Sequence, residues 1–243
     1  MSQSVKRAAA ILAALADEPQ PVAALAERFG IHRSTMFREL QSLEQVGFVR
    51  RQSDGRFAPG MQLAVLGSAA LEQLDLRGAA FAHVRRLHRI VGNTVHVGAL
   101  VGDEIVYVDK VEDAAGVRMY SRVGSAVRPY CSGIGKAVLA GLPRDRRDAV
   151  LAGCDWHRYT ANTLVTREAL DAELAVTARR GWAADDAEFE DFVNCVAVPI
   201  VSSAGVVGAL SLTALRAVQD LSQLEQRVPL LRETAAEISR DLG

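Results

Sequence analysis

The feature that constrains this chain most is a change of hydrophobic period near residue 92. Up to Val91 the apolar residues recur at three- and four-residue spacing, and over Thr94–Ser121 they alternate. The first period demands helices and the second demands half-buried strands, so all-helical and all-strand folds are both excluded. A length of 243 residues with 49 % apolar content supplies two cores and leans toward two domains.

In the helical part, Val5, Ala8, Ala9, Leu12 and Leu15 predict a first amphipathic helix. The same stretch, with Lys6-Arg7 before it and Ala14-Leu15-Ala16 at its end, has the outline of a secretory signal. The helix reading is preferred, because the next segment needs a partner for its own apolar face. That segment has Pro21 at its expected first position, Val22, Leu25, Ala26 and Phe29 on one side, and Gly30 as its stop. A third helix opens at Arg33-Ser34-Thr35, turns Met36, Leu40 and Leu43 inward, and ends at Gly47. Two short helices joined by a tight glycine turn make a helix-turn-helix candidate.

The outer face of the third helix carries Arg33, Ser34, Thr35, Arg38, Gln41, Ser42 and Gln45, all hydrogen-bonding and none acidic. A DNA major groove accepts such a surface. Phe48–Arg51 and Arg56–Ala58, joined through Asp54-Gly55, read as a hairpin wing whose Arg50, Arg51 and Arg56 suit phosphates or the minor groove. Residues 1–60 hold eight Lys/Arg against six acids within a chain of net charge −1, so contact with DNA has to be local. Three small helices and a hairpin also make an ordinary interaction module, and no single residue separates the two readings.

Residues 61–91 are helical in pattern, with Gly78 as the expected division. The expected organisation is therefore 1–60 for DNA, 61–77 for a linker helix and dimer strut, and 78–243 for a larger domain. His83 and His88 lie five apart and make a poor metal pair. Strands are expected over Thr94–Val101, Glu104–Val111, Val117–Ser121, Val193–Val201 and Val206–Leu215. Helices are expected over Gly133–Gly141, Pro143–Leu151, Thr166–Arg180 and Leu221–Leu242, the last kinked or interrupted by Pro229. Antiparallel hairpins with helices packed on them give a mixed α+β domain. Cys131, Cys154 and Cys195 cannot all pair within one chain, which fits a reducing cytoplasm. No apolar run approaches the ~20 residues of a membrane span.

Ser132-Gly133-Ile134-Gly135-Lys136 sets two glycines at a helix start. Free amides there suit a carboxylate-sized anion; equally, the glycines serve tight helix packing. A nucleotide P-loop is excluded by Tyr130 and Ala137, which occupy positions that would need Gly and Ser/Thr. The acidic run 185–191 lacks the central Gly of a calcium loop and reads as a solvated or rim segment. An enzyme reading would use Cys195 or Cys131 with His96 or His157, yet no nucleophile–base signature ties them together. Neither a cofactor nor a metal is expected.

Several of these segments together resemble the IclR family of bacterial transcriptional regulators: Ser4–Ala8 with Ile11-Leu12, Leu25–Gly30, Arg33–Leu40, Gly47–Val49, Phe57–Gly60 and Ser132–Ala137. The resemblance implies a winged helix-turn-helix followed by a GAF-like effector-binding domain. It further implies operator contacts from Ser34, Thr35 and Arg38, wing arginines on the DNA backbone, and homodimers that often pair into tetramers. By the same resemblance Gly133, Ile134, Asp185, Cys195, Ser211 and Thr213 bind a small-molecule effector. Spacing alone puts Ser211 and Thr213 on one strand face, while Cys195 also reads as a buried core thiol and Asp185-Asp186 as a turn. Asp191-Phe192 departs from the Leu-Gly pair usual in the family, so the pocket's shape does not follow from the resemblance.

Overall fold

A computed structural model of the chain describes residues 3–112 and 121–243. It divides into two compact units, Met1–Gln73 and Leu74–Gly243.

The first unit contains α1 (Gln3–Asp17), α2 (Val22–Arg28), α3 (Arg33–Gln45), the hairpin β1 (Val49–Arg51) and β2 (Phe57–Pro59), and α4 (Met61–Glu72). Ile11, Leu15, Leu25, Met36, Leu40 and Phe57 form its core, each at most 1 % exposed. The N-terminal segment is thus a structural helix, tied also by the Arg7–Glu39 ion pair between α1 and α3. Pro21 stands one residue before α2 rather than inside it, with an extended backbone (φ −77°, ψ 154°) that caps the helix instead of starting it. Gly30 (φ +63°) and Gly55 (φ +84°) both turn the chain in the left-handed region that a side chain would resist. Gln20 pairs with Phe57 through two backbone hydrogen bonds of 2.8 and 2.9 Å, fastening the wing to the α1–α2 connection.

The chain leaves helix geometry at Gln73–Leu74, five residues before the expected division at Gly78. Gly78 lies inside α5 (Asp75–Val91), whose stripe of Leu76, Ala80, Val84 and Leu87 is buried. That packing outweighs the ~1 kcal/mol that a glycine costs in a helix interior.

The second unit is built on one five-stranded sheet, every neighbouring pair antiparallel, in the order β4-β3-β7-β6-β5. Its strands are β3 (Thr94–Val101), β4 (Glu104–Val111), β5 (Ala183–Asp186), β6 (Val193–Ser202) and β7 (Gly205–Leu215). Asp185-Asp186 therefore belongs to an edge strand and not to a turn. The strand expected over Val117–Ser121 falls, apart from Ser121, outside the described residues. Between β4 and β5 come α6 (Gly133–Gly141), α7 (Arg144–Leu151) and α8 (Arg167–Arg180), and after β7 come α9 (Leu221–Glu225) and α10 (Val228–Leu242). The final helix breaks between α9 and α10, with Pro229 in the first turn of α10, where its missing N–H costs nothing. Helices α5 and α10 pack together and on the sheet, while α6 packs on β3, β5, β6 and β7 with α8 against it. None of the described helices is long and apolar enough to cross a membrane.

Candidate functional site

On α3, Arg33, Ser34, Arg38, Gln41, Ser42 and Gln45 are exposed and Thr35 is half-buried. The Ser34 hydroxyl lies 3.0 Å from His32 Nδ1, and Ser42 bonds back to the Arg38 carbonyl at 3.0 Å. The face is held by local bonds while both arginines extend from it. The wing arginines differ among themselves. Arg56 Nε donates to Asp54 Oδ2 at 2.7 Å, so its charge is partly spent inside the turn. Arg50 and Arg51 are exposed, and the Arg51 backbone is fixed to Glu44 of α3.

In the second unit, a cavity of about 480 Å³ lies between the sheet and the start of α6. Strand register explains its sheet wall. Asp185 pairs with Cys195, and Cys195 with Thr213, so these three form one row across β5, β6 and β7. Two residues along, Ser211 pairs with His96 of β3. Directly opposed residues in a ladder share a face, and residues two apart on one strand do too. All five side chains line the cavity, joined by Gly133 and Ile134 from α6.

The α6 start is set by Ser132, whose hydroxyl accepts the Gly135 N–H at 3.1 Å. Gly133 and Ile134 contribute the first two amides, which have no acceptor within the helix. The glycines also allow close packing. A Cβ on Gly133 would stand 2.8 Å from Cys195 Sγ, and one on Gly135 would stand 2.5 Å from the Pro129 backbone. Both readings of this motif therefore hold at once, for Gly133 at the cavity and for Gly135 behind it.

Lys136, one turn on, is fully buried and ion-paired with Glu188. The acidic run is thus only partly solvated. Asp185 and Glu188 are buried, Glu190 lines the cavity, and Asp186 and Asp191 face out. The run is held by hydroxyls from the preceding loop, Thr160 donating to the Ala187 carbonyl and Thr163 to the Glu188 carbonyl, each at 2.6 Å.

The electrostatics are those of a dry polar cleft. Burial, with the Glu188 charge added, lifts the Asp185 carboxyl to about 7, against Lys136 and the amides of Glu188 and Phe189. Burial and the Lys110 charge push His96 down to about 3, so its ring is neutral. Burial holds the Cys195 thiol at about 12 and raises Tyr107 as well. His96 Nε2 faces the Ser121 hydroxyl at 2.7 Å and Nδ1 faces Thr213 Oγ1 at 3.4 Å, leaving no nitrogen to activate Cys195. The Cys131 thiol is likewise raised by burial, and His157 stacks edge-on against Tyr159. The arrangement suits binding rather than nucleophilic catalysis.

Sequence reasoning missed His96 and Tyr107 as cavity residues, and Arg128 altogether. His96 had a signal, as a polar residue in a strand between Val95 and Val97. Arg128 had none, because loop residues follow no period.

Residues 4–53 match the family described as the IclR helix-turn-helix domain, and residues 68–240 match the bacterial transcriptional regulator IclR C-terminal family. The chain is 34 % identical over 245 residues to the HTH-type transcriptional regulator KdgR of Escherichia coli, covering 99 % of this chain and 92 % of that protein. It is 31 % identical over 257 residues to the DNA-binding transcriptional repressor YiaJ of the same organism, covering 100 % and 88 %. Among solved structures, an IclR homolog from Microbacterium hydrocarbonoxydans complexed with 4-hydroxybenzoate superposes with a TM-score of 0.82 at 28 % identity, covering 99 % of each chain.

Proposed function

The chain belongs to the IclR family of bacterial transcriptional regulators, and on that premise we propose that it is a ligand-responsive repressor whose cavity binds a small organic or aromatic acid. It is a DNA-binding regulator with a C-terminal effector domain and not an enzyme. The observation that carries the finer reading is convergence. Gly133, Ile134, Asp185, Cys195, Ser211 and Thr213, drawn from four separate elements, line one cavity. Repression is supported by the repressor name of one relative, and an acid ligand by the 4-hydroxybenzoate of the Microbacterium homolog.

Arg33, Ser34, Thr35 and Arg38 read base edges of a palindromic or pseudo-palindromic double-stranded operator in the cytoplasm, while Arg50, Arg51 and Arg56 lie along phosphates. The active form is a homodimer, and two such dimers pair into a tetramer. None of the residues of α4 is buried, and Met61, Val65 and Leu66 offer apolar surface to a second copy. The effector prefers one sensor conformation, and a coupling of ~1–3 kcal/mol would alter operator affinity about 5–150-fold.

The test combines a footprinted operator with a thermal-shift screen of carboxylates, since a ligand of the folded state raises its apparent stability. The double variant Asp185→Ala, Cys195→Ala should keep operator affinity and lose the response to any acid the screen finds. A normal response in that variant would sink the site assignment.

A further inference from the structure

The surroundings of Arg128 are specific. It lies in the segment that leads into α6. Its carbonyl accepts the Ser132 hydroxyl at 2.6 Å, the same hydroxyl that caps the Gly135 amide. The backbone of Arg128 is therefore fixed at the start of α6, beside the free amides of Gly133 and Ile134. Its guanidinium carbon lies 4.8 Å from the centre of the Tyr159 ring and 5.3 Å from that of Phe189, and those rings meet edge-on at 4.8 Å. Stacking of this kind holds a guanidinium plane in place without using its N–H donors.

Those donors are unspent. Arg128 Nε is buried with no acceptor, and among the described residues no carboxylate pairs with this side chain. Three of the neighbouring acids have partners of their own. Asp155 accepts the His157 amide, Asp185 accepts the Glu188 amide, and Glu188 holds Lys136. A buried cationic donor without an acceptor is rare in a native protein and points to a group that arrives from outside. The opposite wall differs in character, offering neutral donors and acceptors from His96, Ser211 and Thr213 beside the Asp185 carboxyl, which burial lifts to about 7.

We propose that Arg128 is the anion anchor of the cavity, holding the effector's carboxylate together with the Gly133 and Ile134 amides, while the sheet wall bonds hydroxyls at the ligand's other end. The effector class is then a small hydroxylated carboxylic acid, and Arg128 decides acid against neutral ligands. This inference rests on the cavity being the effector site.

The test uses the full-length protein and three acid–alcohol pairs as probes: lactate and propane-1,2-diol, gluconate and glucitol, 4-hydroxybenzoate and 4-hydroxybenzyl alcohol. Calorimetry is run on wild type, Arg128→Gln and Arg128→Lys. In wild type, at least one acid should bind about tenfold or more tighter than its alcohol. Arg128→Gln should weaken that acid by about tenfold or more and leave the alcohol within about twofold. Arg128→Lys should recover part of the acid preference, and it carries the test alone if the Gln variant does not fold. Acid binding that is unchanged in Arg128→Gln overturns the anchor and leaves the cavity reading standing. Equal losses for acid and alcohol overturn it too, because that is the pattern of a merely structural stack. Alcohols binding wild type as tightly as acids remove the proposed selectivity. If no probe binds at millimolar concentration, both the anchor and the acid-binding cavity fall.

Discussion

Replacing Asp185 by Asn should change stability in a way that depends on pH with a sign fixed by the cavity. Burial is the main cause that lifts this carboxyl from its ordinary 3.8 to about 7. The native state therefore holds the proton more tightly than the unfolded chain does. Stability conferred by that proton is complete at low pH, falls as pH rises from near 4 to near 7, and is level above. The gap converts to about 4 kcal/mol at most, part of it shared with Glu188 and Lys136 through their mutual fields. Asparagine has nearly the same shape, and its side-chain oxygen can still accept the Glu188 amide that Asp185 Oδ1 binds at 2.8 Å. It has no proton to lose. At about pH 4.5 the variant and the wild type should differ by roughly 1 kcal/mol or less, and at about pH 8 the variant should be the more stable by ~2–4 kcal/mol. The assay is urea unfolding followed by tryptophan fluorescence. Trp156 and Trp182, the only two tryptophans, both belong to the second unit and report on it alone. A variant less stable than wild type at the higher pH, or a difference that ignores pH, would refute the reasoning.

Glu188→Gln strands the Lys136 ammonium in the core and should cost ~3–5 kcal/mol, which for a domain of this size lowers the Tm by roughly 6–20 °C. Adding Lys136→Met should recover much of the loss, and a single-variant loss below about 1 kcal/mol would contradict the pairing. Gly133→Ala pushes a methyl toward Cys195 Sγ and should cost ~1–3 kcal/mol in denaturant melts. The cost should shrink when Cys195→Ala is present, and additivity of the two would show that they do not touch. Arg38→Ala should weaken binding to the footprinted operator by ~1–3 kcal/mol and relax preference at one base position; unchanged gel-shift affinity would remove Arg38 from the reading face.

What the sequence disclosed follows from the range over which each kind of order acts. The strands from Thr94 to Leu215 and the helices from Gln3 to Val91 are periodic over many residues, and their periods announce them. Ser211 and Thr213 were legible as a pair because alternation along one strand is local. That Asp185, Cys195 and Thr213 share a row was not, since the row depends on register between strands far apart in sequence. Gly78 misled because its local cost was set against a buried stripe that only tertiary packing creates. Pro21 and Pro229 were both recognised as helix punctuation, but the backbone on either side decided whether each stood before the helix or inside its first turn. The inward turn of Glu188 was hidden because its partner, Lys136, lies 52 residues away.

Seven consecutive residues of α6, Gly133 to Leu139, are buried, so this helix has no side facing water over its first two turns. An element wedged in that way has no direction in which to give. A ligand drawn into the cavity meets a fixed jaw on the α6 side and a second fixed jaw in the paired strands. A third side is the segment around Ala187–Glu190, held by the hydroxyls of Thr160 and Thr163, by the Lys136–Glu188 ion pair and by the Asp185 carboxylate that accepts the Glu188 amide. A buried helix cannot shift by half an ångström without displacing the sheet, and the ion pair to Lys136 ties this segment to that helix. Any strain that a ligand places on Glu188 is therefore passed to α6 through Lys136.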